Sequence, residues 1–178
     1  MTGVGRPLEW GEIEAYLIEL GAELERRGLV RTVIVVGGAY VAYRGIRSST
    51  TDVDTLYELD DVLRDVVAAV GERHGLEQDW LNDRAQPWRP VTFDPATCNP
   101  LLDAGGLQVL APPPDVVVLM KISVGGRTPN DALDLRALWP ATRFTYPDEA
   151  VAAFYAAYPH EEPDPYLADW IRAVVSGE

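Results

Sequence analysis

The run Val30-Arg31-Thr32-Val33-Ile34-Val35-Val36 ends abruptly on Gly37-Gly38. Every residue of it except Arg31 is β-branched, the composition of a strand buried among its neighbours. Two glycines then break the extended chain, and Ala39 to Arg44 reads as a short helix beginning at once. A strand that turns this sharply into a helix must belong to a packed α+β core. The flanking segments agree. Leu8 to Arg27 carries Ile13, Leu17, Leu20 and Leu24 at helical steps and ends at Gly28. Asp60 is placed to cap a helix from Asp61 to His74 that Gly75 stops.

The alternation in Asp52-Val53-Asp54-Thr55-Leu56-Tyr57 predicts a second strand, and Trp80-Leu81, Val91-Thr92-Phe93 and Leu107 to Leu110 predict short ones. After Pro112-Pro113-Pro114 the chain reads as helical, with Asp115 capping a helix over Val116 to Val124. Further helices follow over Asp131 to Trp139, from Tyr146-Pro147-Asp148 through Tyr158, and, beyond a Pro-rich hinge at 159–165, up to Val175. The expected fold is α+β: a small mixed central sheet flanked by helices, with a helical C-terminal third. The expected division is a domain over residues 1–140 and a helical extension over 141–178 packed on it.

Composition narrows the function. The 178 residues are 47% hydrophobic and 24% charged, which excludes a disordered chain. No apolar run approaches the roughly 20 residues of a membrane span, and Met1 to Arg6 lacks a basic start and apolar stretch, so a cytoplasmic protein with no membrane partner is expected. Cys98 stands alone, which rules out a disulfide framework and a Cys-based zinc site. The formal net charge of −13 excludes a broad basic face for nucleic acid, so any bound anion must be held by a local cluster of cations or by metal ions. Lys121 is the single lysine among the 15 basic residues, all others being arginine.

The chemistry concentrates between Gly37 and Asp54. Asp52 and Asp54 are two apart on an extended chain and project to the same side. Adjacent carboxylates repel, and a hard divalent cation relieves the repulsion. Mg²⁺ suits such a pair, accepting one or two carboxylates and completing its octahedron with phosphate and water. Gly37-Gly38 lets the backbone come close to a phosphate. Carboxylates for metal beside a phosphate turn are the minimum machinery for attack on the α-phosphate of an NTP with release of pyrophosphate.

Apolar-Gly37-Gly38, thirteen residues and Asp52-Val53-Asp54 together resemble the nucleotidyltransferase superfamily that includes DNA polymerase β. The longer string Gly37-Gly38-Ala39…Arg47-Ser48-Ser49-Thr50-Thr51-Asp52-Val53-Asp54 is similar to its small bacterial branch, the AbiEii-like toxins of toxin–antitoxin pairs and their relatives. Leu119-Met120-Lys121…Arg127…Asp131…Asp134 and Trp80-Leu81-Asn82-Asp83 extend the likeness over Val33 to Leu138. The resemblance implies one or two Mg²⁺ on Asp52 and Asp54, a phosphate turn at Gly37 and Gly38, and NTP contacts from Arg47, Ser48, Ser49 and Lys121. It also implies that Asp131 or Asp134 orients Lys121 or the acceptor. Thr55 departs from the family, which has an apolar residue there. A third metal carboxylate has no clear counterpart, with Asp94 the first candidate and Asp79 and Asp83 weaker ones.

The toxin-like resemblance implies RNA as acceptor, a tRNA acceptor end in particular, and a cognate antitoxin as partner. The net charge of −13 speaks instead for a small cationic acceptor such as an antibiotic, because an acidic cleft concentrates cations. A catalytically inactive binding or antitoxin module is the third reading. A local patch of Arg44, Arg47, Lys121, Arg127 and Arg136 is what the RNA reading needs.

Overall fold

The computed structural model describes residues 5–125 and 128–177. The chain divides into two compact units, Met1–Pro87 with Cys98–Pro112, and Trp88–Thr97 with Pro113–Glu178. The sequence places its one boundary at 140. The structure instead changes unit at Pro112-Pro113 and assigns Trp88–Thr97 to the second unit.

The first unit holds α1 (Trp10–Arg26), β1 (Arg31–Val36), α2 (Gly37–Tyr43), β2 (Val53–Thr55), α3 (Asp61–His74), β3 (Leu81–Asn82), β4 (Asn99–Ala104) and β5 (Leu107–Ala111). Its sheet is mixed, in the order β3-β2-β1-β5-β4. β1 runs parallel to β5 and antiparallel to β2, β2 runs parallel to β3, and β4 runs antiparallel to β5. The β-branched strand therefore lies at the centre, with Val33, Ile34, Val35 and Val36 all fully buried. The apolar face of α1, with Ile13, Leu17, Leu20 and Leu24, is equally buried. α3 occupies the limits its end signals predict, for the Asp60 carboxylate accepts from Leu63 N–H at 2.8 Å and Gly75 adopts the left-handed conformation.

Thr55 corrects an expectation. Its sequence position suggests a mild mismatch at a sheet edge, yet β2 lies inside the sheet and Thr55 is 0% exposed. Its Oγ1 accepts from Ile34 N–H at 2.9 Å and from Tyr57 N–H at 3.3 Å, so a hydroxyl takes the place of a carbonyl beside the central strand. Thr55→Val removes that acceptor while keeping the shape, and leaving the buried Ile34 N–H unmatched costs about 1–3 kcal/mol. Urea unfolding should show a lower midpoint with an unchanged slope, and Thr55→Ser should restore most of the loss.

The second unit holds α4 (Pro114–Ser123), α5 (Pro129–Leu138), α6 (Pro147–Ala157) and α7 (Leu167–Ser176). α4 packs on α5 and α6, and α7 packs on α5 and α6. Val91-Thr92-Phe93 forms no strand. It lies in a turn between Pro90 and Pro95, with Val91 N–H bonded to Ala157 O at 2.9 Å. Asp115 is not the cap of α4, whose N-cap position is Pro113; its carboxylate instead takes Arg143 through Nε at 2.9 Å and through the backbone N–H at 3.0 Å. Among the described residues the architecture is thus a five-stranded mixed sheet with seven α-helices, an α+β protein whose C-terminal third is helical.

Candidate functional site

The site in the first unit grows from the end of the central strand. β1 and β2 pair so that Val36 faces Asp54, which brings the second aspartate beside the glycine turn. Gly37 has φ +62°, a left-handed backbone that a side chain strains. It has no room for one either: a Cβ there would stand 2.6 Å from Asp54 Oδ2. At Gly38 a Cβ would stand 2.4 Å from Thr50 Oγ1 and 3.1 Å from Arg47 Nη1. Side chains thus close on both glycines, an acid on one and a guanidinium and hydroxyl on the other.

The alternation read from the sequence holds. Val53 and Thr55 are fully buried on one face, while Asp52 and Asp54 are half-buried on the other. The strand itself begins at Val53, so Asp52 sits at its entrance. The loop leading to it carries exposed Arg44 and Ser48, half-buried Arg47 and Ser49, and buried Thr50. Two backbone bonds with Leu8, of 2.7 and 3.0 Å, and a 3.2 Å bond from Thr50 Oγ1 to Asp52 O pin its far end.

The sequence gives no hint of Asp52's partner. Arg84 Nη2 donates to Asp52 Oδ2 at 2.8 Å, and Asn82 Nδ2 approaches the same oxygen at 3.4 Å. Parallel pairing of β3 with β2 sets Asn82 beside Asp54 and carries Arg84 to the site. Nothing within the local string Trp80-Leu81-Asn82-Asp83-Arg84 reveals that neighbour. Each of the three candidates for a further metal carboxylate has a partner of its own. Asp79 pairs with Arg84 at 2.9 Å. Asp83 takes Arg64 at 2.6 Å and Leu59 N–H at 2.9 Å. Asp94 lies in the second unit and accepts from Ala96 N–H in its own turn. Among the described residues no three His, Cys, Asp or Glu side chains are grouped to hold a metal ion. Asp52 and Asp54 are left as the two candidate metal carboxylates. That number suits Mg²⁺, which accepts one or two carboxylates when phosphate and water supply the rest.

In the second unit the structure gathers Lys121, Asp131 and Asp134. Lys121 Nζ lies 2.8 Å from Asp131 Oδ1 and 2.9 Å from Asp134 Oδ2, with only 12%, 14% and 5% of the three side chains exposed. Both acids hold the lysine, so the question of which one pairs with it has the answer that the two share it. Asp131 also closes the first turn of α5, accepting from Thr128 Oγ1 at 2.8 Å and from Thr128 N–H at 3.2 Å. Burial pushes its carboxyl up, and the bonds from Lys121 and Thr128 outweigh that and hold it below the usual 3.8.

The residues of the anticipated cation patch are divided between the two units. Arg44 and Arg47 belong to the loop after α2, and Arg127 lies outside the described residues. Lys121 is enclosed by two acids. Arg136 is committed to the end of α7, where its guanidinium fills the space beside Gly177. Among the described residues no helix is long and apolar enough to cross a membrane. No protein-family model, no curated protein and no solved structure matches this chain.

Proposed function

We propose that this protein is a Mg²⁺-dependent nucleotidyltransferase that moves NMP from an NTP to an acceptor. The observation that carries the reading is the register of Val36 on Asp54, which sets a carboxylate against a glycine turn too tight for any side chain. In the proposed reaction an acceptor oxygen forms a bond to the α-phosphorus, the α–β phosphoanhydride bond breaks, and pyrophosphate leaves. Asp52 and Asp54 would hold Mg²⁺, which when bound neutralises the triphosphate and favours the attacking oxygen. Gly37 and Gly38 admit the phosphates to the backbone. Arg47, against Gly38, offers a guanidinium fork for phosphate oxygens, and Ser48 and Ser49 offer hydroxyls from the same loop. α2 is only seven residues long, so the turn acts through close approach of backbone rather than through a strong helix dipole.

For the acceptor, the resemblance to AbiEii-like toxins supports an RNA end, with a cognate antitoxin as partner. The net charge of −13 favours a small cationic molecule instead. An inactive module is favoured by the ion pair that holds Asp52 and by the neutral Asn82 beside Asp54. One experiment separates the three: incubation with each of four α-labelled NTPs, Mg²⁺ and total RNA, beside a panel of aminoglycosides. Label in RNA supports the first, label in a drug the second, and label in neither the third.

A further inference from the structure

We propose that Arg84 exchanges partners at this site, holding Asp52 while no divalent cation is bound and passing to the triphosphate once one is. The inference rests on the nucleotidyl-transfer reading and names a residue that neither the sequence pattern nor the resemblance singles out. Each nitrogen of the guanidinium faces one oxygen: Nη2 lies 2.8 Å from Asp52 Oδ2, Nη1 2.9 Å from Asp79 Oδ2, and Nε 3.0 Å from Asn82 Oδ1. The root of the side chain is fixed as well, because Arg84 N–H donates to the same Asn82 oxygen at 3.0 Å. The fork is therefore aimed at the acid that begins the Asp-Val-Asp pair.

Two facts make the contact exchangeable rather than structural. The Arg84 side chain is 59% exposed and that of Asp52 30%, so opening the pair releases the arginine to water at little cost. The contact also falls on Oδ2, where Asn82 Nδ2 approaches too. A hard cation seated on Asp52 would then face a like charge at contact distance, and the guanidinium must leave. Its exit is already tethered: Asp79, 63% exposed, keeps hold of Nη1. A guanidinium displaced beside a cation-bound triphosphate meets the oxygens that its planar fork matches best. Arg84 thereby takes over the charge balance of Asp52 when the cation is absent and adds a phosphate contact when it is present.

The test uses the full chain, with Mn²⁺ alone as one probe and Mg²⁺–tripolyphosphate as the other, each titrated calorimetrically. Arg84→Ala is expected to bind Mn²⁺ about threefold more tightly or better, and to bind Mg²⁺–tripolyphosphate about tenfold more weakly. Arg84→Lys, which keeps the charge and loses the fork, should also bind the polyphosphate more weakly. Opposite shifts with the two probes are the signature of exchange. Shifts in the same direction, or none, overturn it, since a purely structural arginine would weaken both and a bystander would move neither. Asp52→Asn separates this inference from the reading beneath it. If Asp52→Asn abolishes Mn²⁺ binding while Arg84→Ala leaves both affinities unchanged, the exchange alone fails. If Asp52→Asn leaves Mn²⁺ binding intact, the metal assignment fails and the exchange with it.

Discussion

Asp54→Asn is expected to lose NTP turnover by about 10³-fold or more, while its thermal midpoint stays within a few degrees of the parent. The amide has the outline of the carboxylate, so it fits the space against Gly37 that no Cβ can share. What it lacks is the negative charge that a hard cation requires. The proposed reaction asks the protein mainly to position phosphates and to balance charge, so removing one of two metal carboxylates removes most of the rate. Burial predicts the mild effect on folding, because Asp54 is half-buried in the middle of β2 and the strand is anchored by fully buried Val53 and Thr55. Radiolabel transfer followed beside a melting curve checks both halves. Parent-like turnover in a well-folded Asn variant would remove the metal role from this acid.

Lys121→Met is expected to have the largest effect on stability, about 3–5 kcal/mol, read as an earlier unfolding transition. With 14% and 5% of their side chains exposed, Asp131 and Asp134 would both lose the ammonium that they share. The pH dependence fixes the sign. In the parent, the Asp131 carboxyl is held below its ordinary value of 3.8, so its contribution is fully present above that pH. It is lost as the pH falls through the lowered folded value. In the Met variant Asp131 keeps its Thr128 bonds but loses the Lys121 ammonium, so burial counts for more, its pKa rises and stability should depend less steeply on pH in that range. Combining Lys121→Met with Asp131→Asn and Asp134→Asn should recover much of the loss, because the uncompensated charge is what costs. A Met variant as stable as the parent would make the cluster an ordinary surface ion pair.

Local chemistry explains which parts of this structure the sequence discloses. α3 is legible to the residue because its limits are set by one capping carboxylate and one glycine. β1 is legible because its five β-branched residues suit little else, and the Gly37-Gly38 turn because the strand must stop there. β4 is not. Asn99-Pro100-Leu101-Leu102-Asp103-Ala104 has a proline and no alternation, and it becomes a strand only because β5 offers an edge, with a register shift at Pro100/Leu102 accommodating the misfit. Val91-Thr92-Phe93 errs in the other direction, a β-prone triplet that found no strand to pair with between its flanking prolines. At the site, the carboxylates and glycines follow from spacing along one chain segment. Arg84 does not, since it reaches Asp52 from 32 residues away through the two-residue strand β3. Lys121 with Asp131 and Asp134 is intermediate: the resemblance implies that one of the two acids orients the lysine or the acceptor, and the packing of α4 on α5 brings both to the lysine.

The tie between Leu8 and Thr50 has a practical corollary. The stretch just ahead of α1 is stitched to the loop that bears Arg47, Ser48 and Ser49, so tension applied at that end of the chain is transmitted to those three side chains. Affinity handles and trimming schemes for this protein should therefore leave Pro7 and Leu8 untouched. On the proposed reading, a preparation shortened past them is expected to bind Mg²⁺–tripolyphosphate more weakly than the parent.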